Sequence, residues 1–131
     1  MPMPRVLLVE DDQQLRREMV GTLKASGFAC EEAENGRVGL EKMCEATFKR
    51  TPYDCVLLDI IMPEVDGWEF LEAIHANPLW AKTRVVILSG RAISTRDIAR
   101  ATQMDCVHVE KKGHFLDAIG PMVTRMVAAT P

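Results

Sequence analysis

Uninterrupted apolar runs alternate with amphipathic stretches along this chain of 131 residues. Val6, Leu7, Leu8 and Val9 form the first run, which breaks at three acids, Glu10, Asp11 and Asp12. A short apolar run with a polar boundary predicts a strand buried on both faces. Leu15, Met19 and Leu23 then recur every fourth residue with Arg16, Arg17 and Lys24 between them, which predicts a helix. Gly27 is placed to supply its left-handed stop and Asp12 its N-cap. Phe28 to Ala33 predicts a less apolar second strand. Asn35-Gly36 signals a turn before Leu40, Met43, Cys44 and Phe48, whose spacing predicts one helical face ending near Lys49-Arg50, ahead of Pro52.

The third run, Val56-Leu57-Leu58, continues into Asp59, Ile60 and Ile61 and closes at Pro63, which cannot extend a sheet ladder. Glu64-Val65-Asp66-Gly67 reads as a loop, with Asp66 and Gly67 as turn and cap residues. The next helix takes its apolar side from Trp68, Leu71 and Ile74 or from Phe70 and Ile74, and Asn77-Pro78 stops it. Arg84 to Leu88 is a fourth buried strand ended by Ser89-Gly90, and Ser94-Thr95-Arg96-Asp97 reads as a capping box opening a modest helix through Ala101. Cys106 to Val109 predicts a last strand. Phe115, Ile119, Met122, Val123, Met126 and Val127 predict a last helix that kinks or restarts at Pro121. Five strands alternating with five helices through short loops imply an α/β fold with a parallel sheet covered on both faces. The pattern leaves the strand order open.

Length changes the picture little: the chain suits one domain, residues 1–131, with one good core. Composition excludes more. The apolar fraction is 47% and the charged fraction 27%, and no apolar run approaches the roughly 20 residues of a membrane span. The start, Met1-Pro2-Met3-Pro4-Arg5, leads into a strand without an apolar signal segment, so the chain reads as cytoplasmic. Cys30, Cys44, Cys55 and Cys106 are scattered with no CxxC pair and read as small buried hydrophobes rather than metal or redox groups. A net charge of −3 without a basic run gives no footprint for nucleic acid through this chain alone.

The candidate chemistry lies at the strand ends. A carboxylate such as Asp59, flanked by Leu58 and Ile60, is costly inside a core, so it belongs at the mouth of its strand beside cations. Acids follow the first strand, Ser89 follows the fourth and a lysine follows the fifth. In an open parallel sheet these carboxyl ends form the ligand crevice. Carboxylates converging there repel one another, and a hard divalent cation with oxygen ligands relieves them; Mg²⁺ suits a few carboxylates, waters and a phosphate.

Four stretches, in order and at strand ends, carry a resemblance that covers nearly the whole chain: Val9-Glu10-Asp11-Asp12, Leu57 through Gly67, Val86-Ile87-Leu88-Ser89-Gly90, and Val109-Glu110-Lys111. They resemble the receiver domain of two-component response regulators, in particular the stand-alone chemotaxis-type receivers. The resemblance implies a doubly wound fold with the flavodoxin-like order 2-1-3-4-5. It also implies transfer of a phosphoryl group from a histidine kinase's phosphohistidine, or from a phosphotransfer protein, onto Asp59. On the same ground Asp11 is a direct Mg²⁺ ligand, Glu10 its companion acid acting partly through water, and Ile61 a donor of a backbone carbonyl to the ion. Ser89 matches the hydroxyl that bonds the phosphoryl oxygen, and Lys111 the ammonium that pairs with it. His108 stands where the family usually has a Tyr or Phe whose rotamer changes with activation. Ile61 and Arg91 flank the family's path of hydrolytic water.

Two departures from the family are visible. Lys111 is followed by Lys112-Gly113 where the family has a proline in a cis peptide, so the Lys111–Lys112 bond is expected to be trans and the loop to reroute; Gly90 stands where alanine is common. The resulting expectation is a phosphorylation-activated signalling switch that signals through a partner-binding face to a downstream protein. It is not a conventional enzyme, yet it catalyses its own Mg²⁺-dependent phosphorylation and dephosphorylation. The alternative is a receiver-like adaptor that binds partners without phosphorylation. A metal-dependent phosphatase ranks third, because the position two beyond Asp59 is Ile61 rather than an acid. The pathway is not legible, and a homodimer stays open.

Overall fold

The computed structural model describes residues 3–60, 67–90 and 94–128. In chain order they form β1 (Arg5–Val9), α1 (Gln13–Ala25), β2 (Ala29–Ala33), α2 (Gly36–Phe48), β3 (Cys55–Asp59), α3 (Gly67–Ala76), a 3-10 turn (Pro78–Trp80), β4 (Arg84–Ser89), α4 (Thr95–Gln103), β5 (Val107–Glu110) and α5 (Phe115–Ala128). The strands pair in parallel in the order β2-β1-β3-β4-β5, the flavodoxin-like arrangement. Every residue of β3, the central strand, is buried.

Side chains alternate across the strands, so the sheet separates two cores. Leu7, Val9, Val56, Leu58 and Ile87 meet α2, α3 and α4 through Met43, Phe70, Leu71, Ile74 and Ala101. Val6, Leu8, Leu57, Val86 and Leu88 meet α1 and α5 through Met19, Leu23, Ile119 and Val123. Local signals set the helix ends. Asp12 caps α1 by accepting from the Leu15 amide at 3.0 Å, Asn35 caps α2, Ser94 caps α4, and Gly27, at φ +95°, turns the chain out of α1.

Three expectations need correction. The buried side of α2 is Gly36, Gly39, Met43 and Ala46, whereas Cys44 is exposed and Phe48 is 89% exposed. The cause is close packing: a Cβ on Gly39 would lie 2.7 Å from the Phe70 ring, so α2 turns its small residues to α3 and β1. Second, α5 is a single helix that does not restart at Pro121, since Ile119, Gly120 and Val123 on either side of it are packed into the core. Third, Gly67 is not in a loop but opens α3. The 3-10 turn after Asn77 was not anticipated; it buries Trp80, whose Nε1 donates to Thr47 Oγ1 at 2.7 Å. The Lys111–Lys112 bond is trans, there being no cis bond among the described residues, and the chain turns instead at Gly113, φ +58°.

Candidate functional site

The carboxyl ends of β1, β3, β4 and β5 converge, and each brings one of the anticipated residues. Glu10 follows β1 directly; its amide donates to the Ala33 carbonyl at 3.0 Å and its carbonyl accepts from Arg16 Nη1 at 2.8 Å. The backbone is therefore pinned on both sides, and the side chain is turned inward with no exposed surface. Asp11, next along, is exposed. Asp59 ends β3, paired with Leu88 of β4, and is 5% exposed. Ser89 ends β4 fully buried, and its carbonyl accepts from the Lys111 amide at 2.6 Å. Main-chain pairing thus fixes Ser89 and Lys111 to one another before their side chains act.

Glu10, Asp11 and Asp59 each offer a carboxylate oxygen, all within 4.8 Å of one another. Lys111 Nζ reaches into the group, donating to Glu10 Oε1 at 2.7 Å and lying 3.4 Å from Asp59 Oδ2. Lys112 does not take part: it is exposed and pairs with Glu110 at 2.9 Å. One ammonium among three carboxylates leaves excess negative charge, and the consequence shows at Glu10. Burial first, then the adjoining Asp59 carboxylate, raise its pKa to about 7 against the pull of Lys111. For Lys111 burial works to lower the pKa, but its bonds to Glu10 and Asp59 outweigh that and raise it.

Such a set fits Mg²⁺. All donors are hard oxygens, Asp11 keeps one side open to water, and a divalent ion would offset the crowding that pushes Glu10 toward its neutral form. Ile61, expected to add a backbone carbonyl, and Arg91 lie outside the described residues. His108 lies on β5 opposite Ile87, two residues before the Ser89–Glu110 pair. Its Nε2 is buried without a hydrogen-bond partner, an uncommon state for a ring nitrogen.

Gly67 is the residue whose part in the site sequence reasoning missed. Its amide donates to the Ile60 carbonyl at 3.2 Å, and a Cβ there would come 2.4 Å from Ile60 Cα and 2.7 Å from the Asp59 carbonyl. Only glycine lets α3 start against the backbone that carries Asp59. An acid-rich loop returning to glycine was the available signal, but turn chemistry explained it equally well.

A model of the response regulator receiver domain matches residues 6–116. The chain belongs to that family. The response regulator receiver protein CpdR of Brucella abortus is 28% identical over 97% of this chain and 100% of its own length. The KDP operon transcriptional regulatory protein KdpE of Escherichia coli is 34% identical over 74% of this receiver chain, which spans only 40% of KdpE. Among solved structures, the phosphorylated cyanobacterial phytochrome response regulator RcpA shares the fold with a TM-score of 0.82 at 22% identity, covering 99% of this chain and 97% of that one. The Vibrio cholerae chemotaxis protein CheY4 does so with a TM-score of 0.78 at 21% identity, covering 99% and 100%. Receiver domains serve two-component systems, act with histidine kinases and downstream effectors, and typically bind Mg²⁺ at an acidic site. None of the described helices is long and apolar enough to cross a membrane.

Proposed function

We propose that residues 1–131 form one receiver unit that accepts a phosphoryl group on Asp59 and signals by the rearrangement that follows. The observation that carries this reading is Asp59 at the end of a fully buried strand, 3.4 Å from Lys111 Nζ and grouped with Glu10 and Asp11. A carboxylate nucleophile needs no general base. Asp59 Oδ attacks phosphorus, the P–N bond of the donor's phosphohistidine breaks, and the leaving imidazole nitrogen keeps the electron pair. Lys111 pairs with the incoming phosphoryl oxygens in place of the carboxylates it now holds, and the Ser89 hydroxyl donates to one of them. Asp11, Asp59 and Glu10 would hold Mg²⁺, which would supply the charge neutralisation an anionic phosphoryl group needs to approach three acids. The donor is a sensor histidine kinase or a phosphotransfer protein, and the receptor of the signal is a downstream protein bound once the phosphoryl group has shifted the population of the switch. Water hydrolyses the acyl phosphate at the same site, ending the signal.

The test is intact mass after incubation with a small-molecule phosphodonor. One phosphoryl adduct is expected with Mg²⁺, and none with chelator or with Asp59→Asn. Full labelling of Asp59→Asn would sink the assignment, and undiminished labelling in chelator would sink the role of the ion.

A further inference from the structure

We propose that Arg100 is a positioning residue: it clamps α4 to α3 and so sets how readily the Ser89 end of β4 moves toward a phosphoryl group on Asp59. The proposal rests on the phosphoacceptor reading above.

By its own packing α4 is thinly held. Ala101 is its one buried residue, Ile98 is 45% exposed, and just past the helix Met104 packs against the core. Arg100 adds what the apolar contacts lack. Its guanidinium carbon stands 4.4 Å from the centroid of the Trp68 ring, and its Nη2 forms an ion pair with Glu72. Both partners are on α3. Trp68 packs against the core and follows Gly67, the residue pressed onto the Asp59-Ile60 backbone. Contacts therefore run without a break from Asp59 and Ile60 through Gly67 and Trp68 to Arg100.

A second route reaches α4 through β5: the Ala101 carbonyl accepts from the Cys106 amide at 2.9 Å, and β5 pairs with β4, Glu110 opposite Ser89. The helix thus takes its position from the ends of both β3 and β4. In the arrangement with the clamp closed, Lys111 is satisfied by Glu10 and Asp59. Drawing Ser89 toward a phosphoryl oxygen shifts the end of β4 and the β5 strand paired with it, which is bonded back to α4 at Ala101, and the clamp resists that shift. Removing Arg100 lowers the resistance.

An exposed ion pair and a partly exposed cation–π contact together correspond to roughly a three- to tenfold change in an equilibrium. Beryllium trifluoride with Mg²⁺, a phosphoryl mimic, is the probe, and calorimetry on the full chain is the readout. Arg100→Ala should bind it about three- to tenfold more tightly than the unaltered protein, and Glu72→Gln by a smaller factor in the same direction. Arg100→Lys, which keeps the cation, should return most of the parent affinity. A merely structural role would lower the melting temperature of Arg100→Ala and leave the affinity alone. In a double-mutant cycle, Trp68→Leu should add little once Arg100 is gone. If the unaltered protein does not bind the probe, the phosphoacceptor reading falls and this proposal with it. If the unaltered protein binds while Arg100→Ala and Glu72→Gln bind equally well or more weakly, the proposal alone is overturned.

Discussion

Glu10 is a carboxyl group with no exposed surface whose proton is held until about pH 7, while in the unfolded chain it is lost near 4.5. Below pH 4.5 both states carry the proton and the contribution to stability is whole. Between 4.5 and 7 the unfolded chain alone has released it, so each step upward in pH favours unfolding. The loss over that window is on the order of 3 kcal/mol at most. Urea unfolding in chelator at pH 5, 6, 7 and 8 should therefore show stability falling toward neutrality. Glu10→Gln, which has no proton to lose, should flatten the profile, and an equally steep decline in that variant would assign the effect to another group. Sequence could place Glu10 at the strand end but not foresee its neutral tendency, because that depends on Asp59 and Lys111 arriving from strands far along the chain. His108 is similar: its position was legible, and its sealed, unpartnered Nε2 was not.

At the scale of elements, the strands were legible because a both-faced buried strand leaves an unbroken apolar run, and β1, β3 and β4 fall where Val6, Val56 and Val85 open such runs. Helix α2 was legible in extent and misread in orientation. Leu40, Met43, Cys44 and Phe48 satisfy helical spacing, yet only Leu40 and Met43 of them pack, because the buried side is turned toward Gly39, whose smallness admits the Phe70 ring. Residue size, rather than hydrophobicity, decided the rotation. Met43→Ala should accordingly cost about 2–5 kcal/mol, the range for a buried large-to-small change, while Phe48→Ser should stay within about 0.5 kcal/mol. Chemical denaturation of the two variants checks this, and a large loss at Phe48 would restore the face expected from spacing. Helix α5 carries the related lesson that Pro121 removes one intrahelical donor, but the packing of its neighbours carries the helix across it.

Across the whole molecule the topology was legible only with help from the motifs. Alternation of strands and helices requires a parallel sheet, but any of several strand orders satisfies it, and the order matters because it brings the ends of β1 and β3 side by side. The family resemblance carried by the motifs implied that step; the loop after β5 then departed from the family's cis turn, as the missing proline required. The distribution of cysteines over the same fold has a practical consequence. Burial raises the thiols of Cys30 and Cys55 to about 12 and that of Cys106 to about 11, so at neutral pH they are protonated and poor nucleophiles. Cys44 stands exposed on α2, outside the acidic site. A maleimide dye at pH 7 should add once, at Cys44, as read by peptide mass. That gives the native sequence a built-in attachment point from which a fluorophore can report on the proposed switch, with no cysteine removed and none introduced.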